Sequence, residues 1–235
     1  MTSREVFVNV VPFSLRDEAL QVLLVPALGG LAPALGGLVP VLGGLVPVLG
    51  GLAPGTGQWE LPGGALVESE SLEEAADRVL TGLIDRRETY LEQLYTYGGV
   101  QRPAVSVVYF VLVPAEARLG VGGRARWFPV TALPGLCGDH AEILAYALRR
   151  LRYKLEYSAV GFQLLPSVFT LSELQHTYEI ILDERLDKRN FRRRILGSGI
   201  IEPTAQRRLG EGRPARLYRY RPDAVAEVKA RRLFP

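Results

Sequence analysis

A single heptad occurs four times in succession between Val25 and Leu52, as VPALGGL, APALGGL, VPVLGGL and VPVLGGL, and no charged residue stands between Glu18 and Glu60. The leucines recur three and four residues apart, which is the spacing of a coiled-coil seam, and the uncharged length would suffice for a membrane helix. Both readings require helix. Each copy carries one Pro and a Gly pair, which together oppose helix by about 5 kcal/mol per repeat, or roughly 20 kcal/mol over four. Gly-Gly and Val-Pro steps favour turns and extended segments. Residues 25–57 are therefore expected to be an irregular or poorly ordered insertion between two strands, with no membrane span. The near-identity of the copies reads as tandem expansion of a hairpin loop, and they contain none of the chemistry of a site.

With the insertion set aside, the flanking sequence is readable. A first strand is expected in MTSREVFVNVVPF, a second in EALQVLLV (18–25), and a third in QWELPGGAL (58–66), ending at a Gly pair. Ser71 and Glu74 form a Ser-x-x-Glu capping box that opens a helix. Leu72, Ala76, Val79, Leu80 and Leu83 form its apolar stripe. AVSVVYFVLV (104–113) and ARWFPV (125–130) are rich in Val and aromatics, as strands are.

Charge divides the chain. Residues 1–150 hold 11 Lys+Arg against 15 Asp+Glu, a balance of −4, whereas residues 151–235 hold 17 against 10, a balance of +7. Two domains, 1–150 and 151–235, follow from this split, the second with the electrostatic footprint of a phosphate-backbone binder. A solvated charged face is the plainer alternative. Cys137 stands alone, so no intramolecular disulfide forms and a reducing cytoplasm fits. With only His140 and His176 beside it, no metal site is expected. The N-terminus, with Arg4 and Glu5 before a short apolar run, lacks the layout of a signal peptide.

The stretch from Trp59 to Asp85 resembles the Nudix domain, an α/β/α sandwich. The signature of that family is a Gly, five residues, a Glu, seven residues, then Arg-Glu, an aliphatic residue, one residue, Glu-Glu, one residue, and Gly. Gly64, Glu70, Arg78 and Leu80 fall on it, after the lead-in Trp59-x-Leu61-Pro62-Gly63-Gly64. Val79 stands where the pattern asks for the Glu after Arg, Gly82 and Leu83 where it asks for the Glu pair, and Asp85 where it asks for the last Gly. The resemblance implies that those acids bind the magnesium that bridges a diphosphate. Magnesium takes several oxygen ligands, and Val, Gly and Leu side chains supply none. The expectation is a non-catalytic domain with no catalytic residues, no metal and no cofactor, in which Glu73 and Glu74 serve the cap and the helix dipole.

The remaining third is helical and basic. DHAEILAYALRRLRYKLEY (139–157) is a long amphipathic helix expected to link the two domains. Thr170 caps LSELQHTYEIIL (171–182), and after a short break Asp187 caps KRNFRRRILGSG, ended by Gly197 and Gly199. Two short helices with a tight turn form a helix-turn-helix. Phe191 and Ile195 point inward, while Arg189 and Arg193 share the other side with Asn190 and Arg192. Such a face offers forked donors for guanine and an amide suited to adenine. IEPTAQRRLGEGRPARLYRYRP reads as a β-hairpin, a wing, with its turn at GEGRP. The expected DNA-binding residues are Lys188, Arg189, Asn190, Arg192, Arg193, Arg194, Arg207, Arg208 and Arg213.

FTLSELQHTYEIILDERLDKRNFRRRILGSGIIEPT, followed by GRPARLYRY, resembles the winged helix of Nudix-related transcriptional regulators of the NrtR type. DHAEIL and KLEY resemble their connecting helix. That resemblance implies an α+β chain, a Nudix-type sandwich followed by a winged helix-turn-helix. It implies a first domain that binds ADP-ribose or a related nucleotide without turning it over, and a second that binds palindromic DNA operators as a homodimer. The genes regulated in that family concern NAD metabolism and sugar use. Arg78 and Arg102 are cationic candidates for a diphosphate, and Trp59 or Tyr97 for stacking a base. The competing readings are a magnesium-dependent diphosphohydrolase of the ADP-ribose pyrophosphatase kind, and a nucleotide-sugar binder whose basic part grips RNA or a protein.

Overall fold

The computed structural model describes residues 5–27, 37–41, 44–48, 59–85, 89–98, 104–120, 124–155, 158–209 and 214–221. The chain divides into two compact units, Met1–Arg16 with Gln21–Ala147, and Asp17–Leu20 with Leu148–Pro235.

The first unit is organised by a mixed sheet. Its strands are β1 (Glu5–Arg16), β2 (Ala19–Pro26), β5 (Trp59–Glu60), β6 (Gly63–Ala65), β7 (Tyr90–Tyr97), β8 (Ala104–Leu112) and β9 (Arg126–Pro129). Their order is β5-β2-β1-β8-β7, with β6 on β1 and β9 on β2. The central pair, β1 with β8, is parallel from Glu5↔Ala104 to Phe13↔Leu112. β1 turns into β2 over Asp17 and Glu18, at φ 49° and 58°. Positive φ at both central residues matches the right-handed twist of a two-residue hairpin.

The helix α1 (Leu72–Thr81) starts as its capping box requires, since Ser71 Oγ accepts from Glu74 N and the Glu74 carboxylate accepts from Ser71 N. The apolar stripe of α1 packs Ala75, Ala76 and Leu80 against Val8 and Val10 of β1 and Val107, Tyr109 and Val111 of β8. Leu72, Val79 and Leu83 join at the margin of this core. Alternation sends Val11, Phe13, Val108, Phe110 and Leu112 to the opposite face, where they are equally buried.

The structure departs from the sequence reading at three places. The stretch 58–66 is two strands, not one: β5 pairs with β2, and after Leu61-Pro62 the chain resumes as β6 against β1. Pro62 has no N–H for a ladder, so the change of partner falls there. Gly63 gives room for this crossing, because an added Cβ would lie 2.2 Å from the Asn9 side chain, which would have to move, and 3.0 Å from the Val8 carbonyl. Second, β7 escaped the sequence reading. Third, the heptad copies are not wholly irregular: β3 (Gly37–Val41) pairs antiparallel with β4 (Gly44–Val48). Pro40 and Pro47 are tolerated because both members of a two-stranded sheet are edges. The other residues of 28–57 lie outside the described residues. No helix among the described residues is long and apolar enough to cross a membrane.

The described residues of the second unit form the end of one helix, two further helices and a hairpin. The unit boundary, between Ala147 and Leu148, falls inside α2 (His140–Leu155). A 3₁₀ turn (Ala159–Leu164) leads to α3 (Leu171–Leu182) and α4 (Lys188–Gly197). The hairpin is β10 (Ile201–Arg208) with β11 (Ala215–Tyr220). Leu174, Tyr178 and Ile181 of α3 and Phe191 and Ile195 of α4 are buried, and Tyr178 meets Phe191 edge-to-face with centroids 5.6 Å apart.

Candidate functional site

In the first unit the two charged residues on the Nudix-like pattern bind each other. Arg78 donates through Nε to Glu70 Oε2 at 2.9 Å and through Nη2 to Glu70 Oε1 at 2.5 Å. A further bond from Nη2 reaches the Ala65 carbonyl at 2.9 Å. The guanidinium clasps the start of α1 to β6. Arg78, foremost through its hydrogen bond, holds the Glu70 carboxyl below its ordinary value. That clasp contributes fully above the ordinary carboxylate range and is lost as pH falls through the lowered folded-state value. Arg78→Met is expected to cost about 2 kcal/mol, the worth of hydrogen bonds to a charged group. Urea unfolding near neutral pH would read that loss, and in strong acid the difference from wild type should shrink.

Positions 79, 82 and 83 are occupied by packing and backbone pairing. Val79 and Leu83 lie against the core, and Gly82 is the C-cap residue that follows Thr81. Asp85 N donates to the Arg118 carbonyl and Gly120 N to the Leu83 carbonyl, both at 2.8 Å. The sequence reading missed one feature of the earlier acids. Glu74 serves the cap as expected, but Glu73 Oε1 accepts from Tyr109 Oη at 2.9 Å. Burial first, and this bond second, push the phenol up to about 12. Among the described residues no group of three or more His, Cys, Asp or Glu is arranged to hold a metal ion.

Two of the candidate ligand residues lie on opposite edges of the sheet. Trp59 lies on β5 and Tyr97 on β7, the two ends of the strand order. Four strand spacings separate their backbones, roughly 19 Å along the sheet. Trp59 meets Phe128 edge-to-face at 4.6 Å, and the Arg126 guanidinium stands 5.9 Å from its ring. Tyr97 meets Tyr95 edge-to-face at 5.1 Å. Arg102 lies outside the described residues. Beside Trp59, burial pushes the Glu60 carboxyl up to about 7, a feature with no signature in the sequence. His140 Nδ1 accepts from Leu61 N at 3.0 Å, which makes it a structural acceptor below the lead-in.

In the second unit local sequence determines the interface. Thr170 Oγ1 accepts from Glu173 N at 3.1 Å, and Thr170 N donates to Glu173 Oε2 at 2.7 Å. The helix α3 ends at Asp183 in the left-handed region, φ 61°. Leu186 N donates to Glu179 Oε1 at 2.9 Å and Gln175 Nε2 to the Leu186 carbonyl at 3.0 Å, which fixes the turn. Asp187 then caps α4 through Asn190 N at 2.8 Å. With Phe191 and Ile195 inward, α4 exposes Lys188, Arg189, Asn190 and Arg193, and Arg194 is half-buried. Arg193 Nη2 donates to Asn190 Oδ1 at 3.0 Å, so these two exposed side chains are ordered by each other.

Two cations of the expected set have partners on α3 instead. Arg192 Nη2 donates to Ser172 Oγ at 3.1 Å, and Arg208 pairs with Glu173. On the hairpin Arg207 is exposed and sits across the ladder from Arg216. Arg216 was not singled out by the sequence reading, because only the strand register places it there. Arg213 lies outside the described residues.

Residues 161–220 match the family model described as the NrtR DNA-binding winged helix domain, and residues 48–151 match the NUDIX domain. The ADPR responsive transcriptional repressor NtrR of Acinetobacter baylyi is 38% identical over 173 residues, 69% of each chain. NrtR of Shewanella oneidensis, crystallised with a 27mer DNA, is 31% identical with a TM-score of 0.76, and the match covers 97% of this chain and 98% of that one. The chain belongs to the NrtR family. An Enterococcus faecalis MutT/nudix protein shares the fold, with a TM-score of 0.65 at 20% identity over 94% of this chain and 88% of that one. The NrtR winged-helix match takes in α3, α4 and both strands of the hairpin. The NUDIX match begins beyond most of the heptad copies, which separate β1 and β2 from the rest of the sheet in sequence. An α+β chain with a Nudix domain followed by a winged helix is thus the architecture of this NrtR relative.

Proposed function

We propose that this chain is a DNA-binding transcriptional repressor that responds to ADP-ribose or a closely related nucleotide and does not hydrolyse it. The observation that carries this reading is the outer face of α4, where Lys188, Arg189, Asn190 and Arg193 stand exposed on a helix held from behind by Phe191 and Ile195. Arginine forks and an amide on a helix of groove-filling width suit base edges, and Arg194, Arg207, Arg213 and Arg216 suit phosphates. Residues 1–150 form the sensor and 151–235 the reader. Two copies would bind a palindromic operator, in the cytoplasm.

The residues from Val79 to Leu83 support the absence of turnover. A diphosphate needs its bridging cation held by several oxygens, and the side chains at Val79, Gly82 and Leu83 supply none. Trp59, Arg78, Tyr97 and Arg102 remain the ligand candidates, with Arg78 already engaged by Glu70. A nucleotide that prefers the arrangement unable to grip DNA releases the operator, by no more than its differential affinity for the two arrangements.

The test is a gel shift on the region upstream of the protein's own gene, with and without ADP-ribose, alongside a hydrolysis assay with magnesium or EDTA. Retardation relieved by ADP-ribose, with no AMP released, is the expected result. Magnesium-dependent AMP release at enzymatic rates, with no duplex retarded, would refute the proposal.

A further inference from the structure

The wing of this protein is anchored at two heights. Near its base, Phe169 and Tyr218 exchange both backbone hydrogen bonds, at 3.0 and 2.8 Å, so the residue before the α3 cap acts as a third strand. Tyr218 lies opposite Pro203 in the hairpin. Arg208 is five residues farther toward the tip, roughly 16 Å at the rise of a strand. Between these points the ladder is interrupted, since its register shifts between Pro203 and Arg207. Beyond the interruption two arginines, Arg207 and Arg216, face each other, and like charges in that position oppose pairing.

A two-stranded hairpin is marginal by itself. The outer half of this one has a second hold on the protein: Arg208 Nη1 pairs with Glu173 Oε1, while Glu173 Oε2 closes the capping box of α3. One carboxylate thus ties the start of α3 to the far end of β10.

We propose that Glu173 is a positioning residue for DNA binding: through Arg208 it holds the outer half of the wing to the first turn of α3, and Arg208 serves that contact rather than a phosphate. The inference rests on the DNA-binding reading above. Both side chains are about two-fifths exposed, 44% for Arg208 and 40% for Glu173, so salt screens the pair and its effect is modest.

Glu173→Gln separates the alternatives by sign. A glutamine at the third helical position also completes a capping box, so α3 keeps its start while the ion pair is lost. If Arg208 gripped a phosphate, removing a neighbouring negative charge would leave DNA affinity equal or higher. If Glu173 positions the wing, affinity falls by about two- to fivefold, the range of an exposed pair. Measured on the full chain, Arg208→Ala should show a like loss, and the double variant no more than either alone. The salt slope should stay at the wild-type value in all three.

Tighter or unchanged binding by Glu173→Gln overturns the proposal, as does an Arg208→Ala slope flattened by about 0.9. Hydrogen exchange without DNA gives an independent reading. Amides of β10 and β11 beyond the register shift should exchange faster in both single variants, and unchanged exchange counts equally against the proposal. If the wild-type chain retards no duplex, the functional reading fails, and hydrogen exchange still judges the wing contact.

Discussion

Replacing Arg189 and Arg193 together with alanine is expected to weaken operator binding by about 2–6 kcal/mol, the sum of two bidentate base contacts at about 1–3 kcal/mol each. The two stand four residues apart on α4, and both are exposed. Their removal leaves Phe191, Ile195 and the Asp187 cap intact, so unfolding free energy should change by no more than about 0.5 kcal/mol. Arg193 is ordered beforehand by Asn190, which lowers the entropy lost when it meets a base. The loss should fall on the specific operator and spare unrelated duplexes, because base edges carry sequence and phosphates do not. Arg207→Ala supplies the contrast: one phosphate contact removed weakens all sequences alike and lowers the salt slope by about 0.9. Gel shifts across a salt series on operator and scrambled DNA would measure both. Operator affinity unchanged in the double variant would move base recognition off α4.

What the sequence discloses here is what short spacings determine. Ser71, Thr170 and Asp187 each cap the helix expected of them, because a cap is written in four adjacent residues. The inward pair Phe191 and Ile195 is equally local. Elements that depend on distant partners were missed or misread. β7 is an edge strand whose residues are half-buried or exposed, so it lacks the aliphatic run by which β8 declares itself. QWELPGGAL looks like one strand until β2 and β1 are both present to divide it. The heptad copies exclude helix through proline, yet nothing in their composition favours a paired hairpin over a loop. The candidate site divides in the same way. The cationic residues of α4 could be counted in the sequence, but the attachment of Arg192 to Ser172 and of Arg208 to Glu173 spans 20 and 35 residues. The Glu70–Arg78 clasp, two turns apart in sequence, needed the loop before α1 to fold back.

Phe191→Ala is expected to destabilise the winged-helix unit by about 3–5 kcal/mol, the usual result of emptying an aromatic site in a core. Phe191 is 2% exposed and meets the ring of Tyr178, which is itself wholly buried. The surroundings have little freedom to close the gap. Tyr178 is already confined by Gly161, where an added Cβ would lie 3.0 Å from Cε2 of the tyrosine and 2.8 Å from Cδ2 of Leu155. A loss of this size is a large share of the 5–15 kcal/mol that holds a typical domain together. DNA binding should fall with it, although Phe191 points away from the proposed groove, because α4 presents its arginines only while its inner face is seated. Phe191→Leu keeps most of the volume and should cost less than about 1.5 kcal/mol. Denaturant unfolding of both variants, with operator affinity measured on the same samples, would link packing to recognition. A full-affinity Phe191→Ala protein of undiminished stability would show that α4 is not held by this contact.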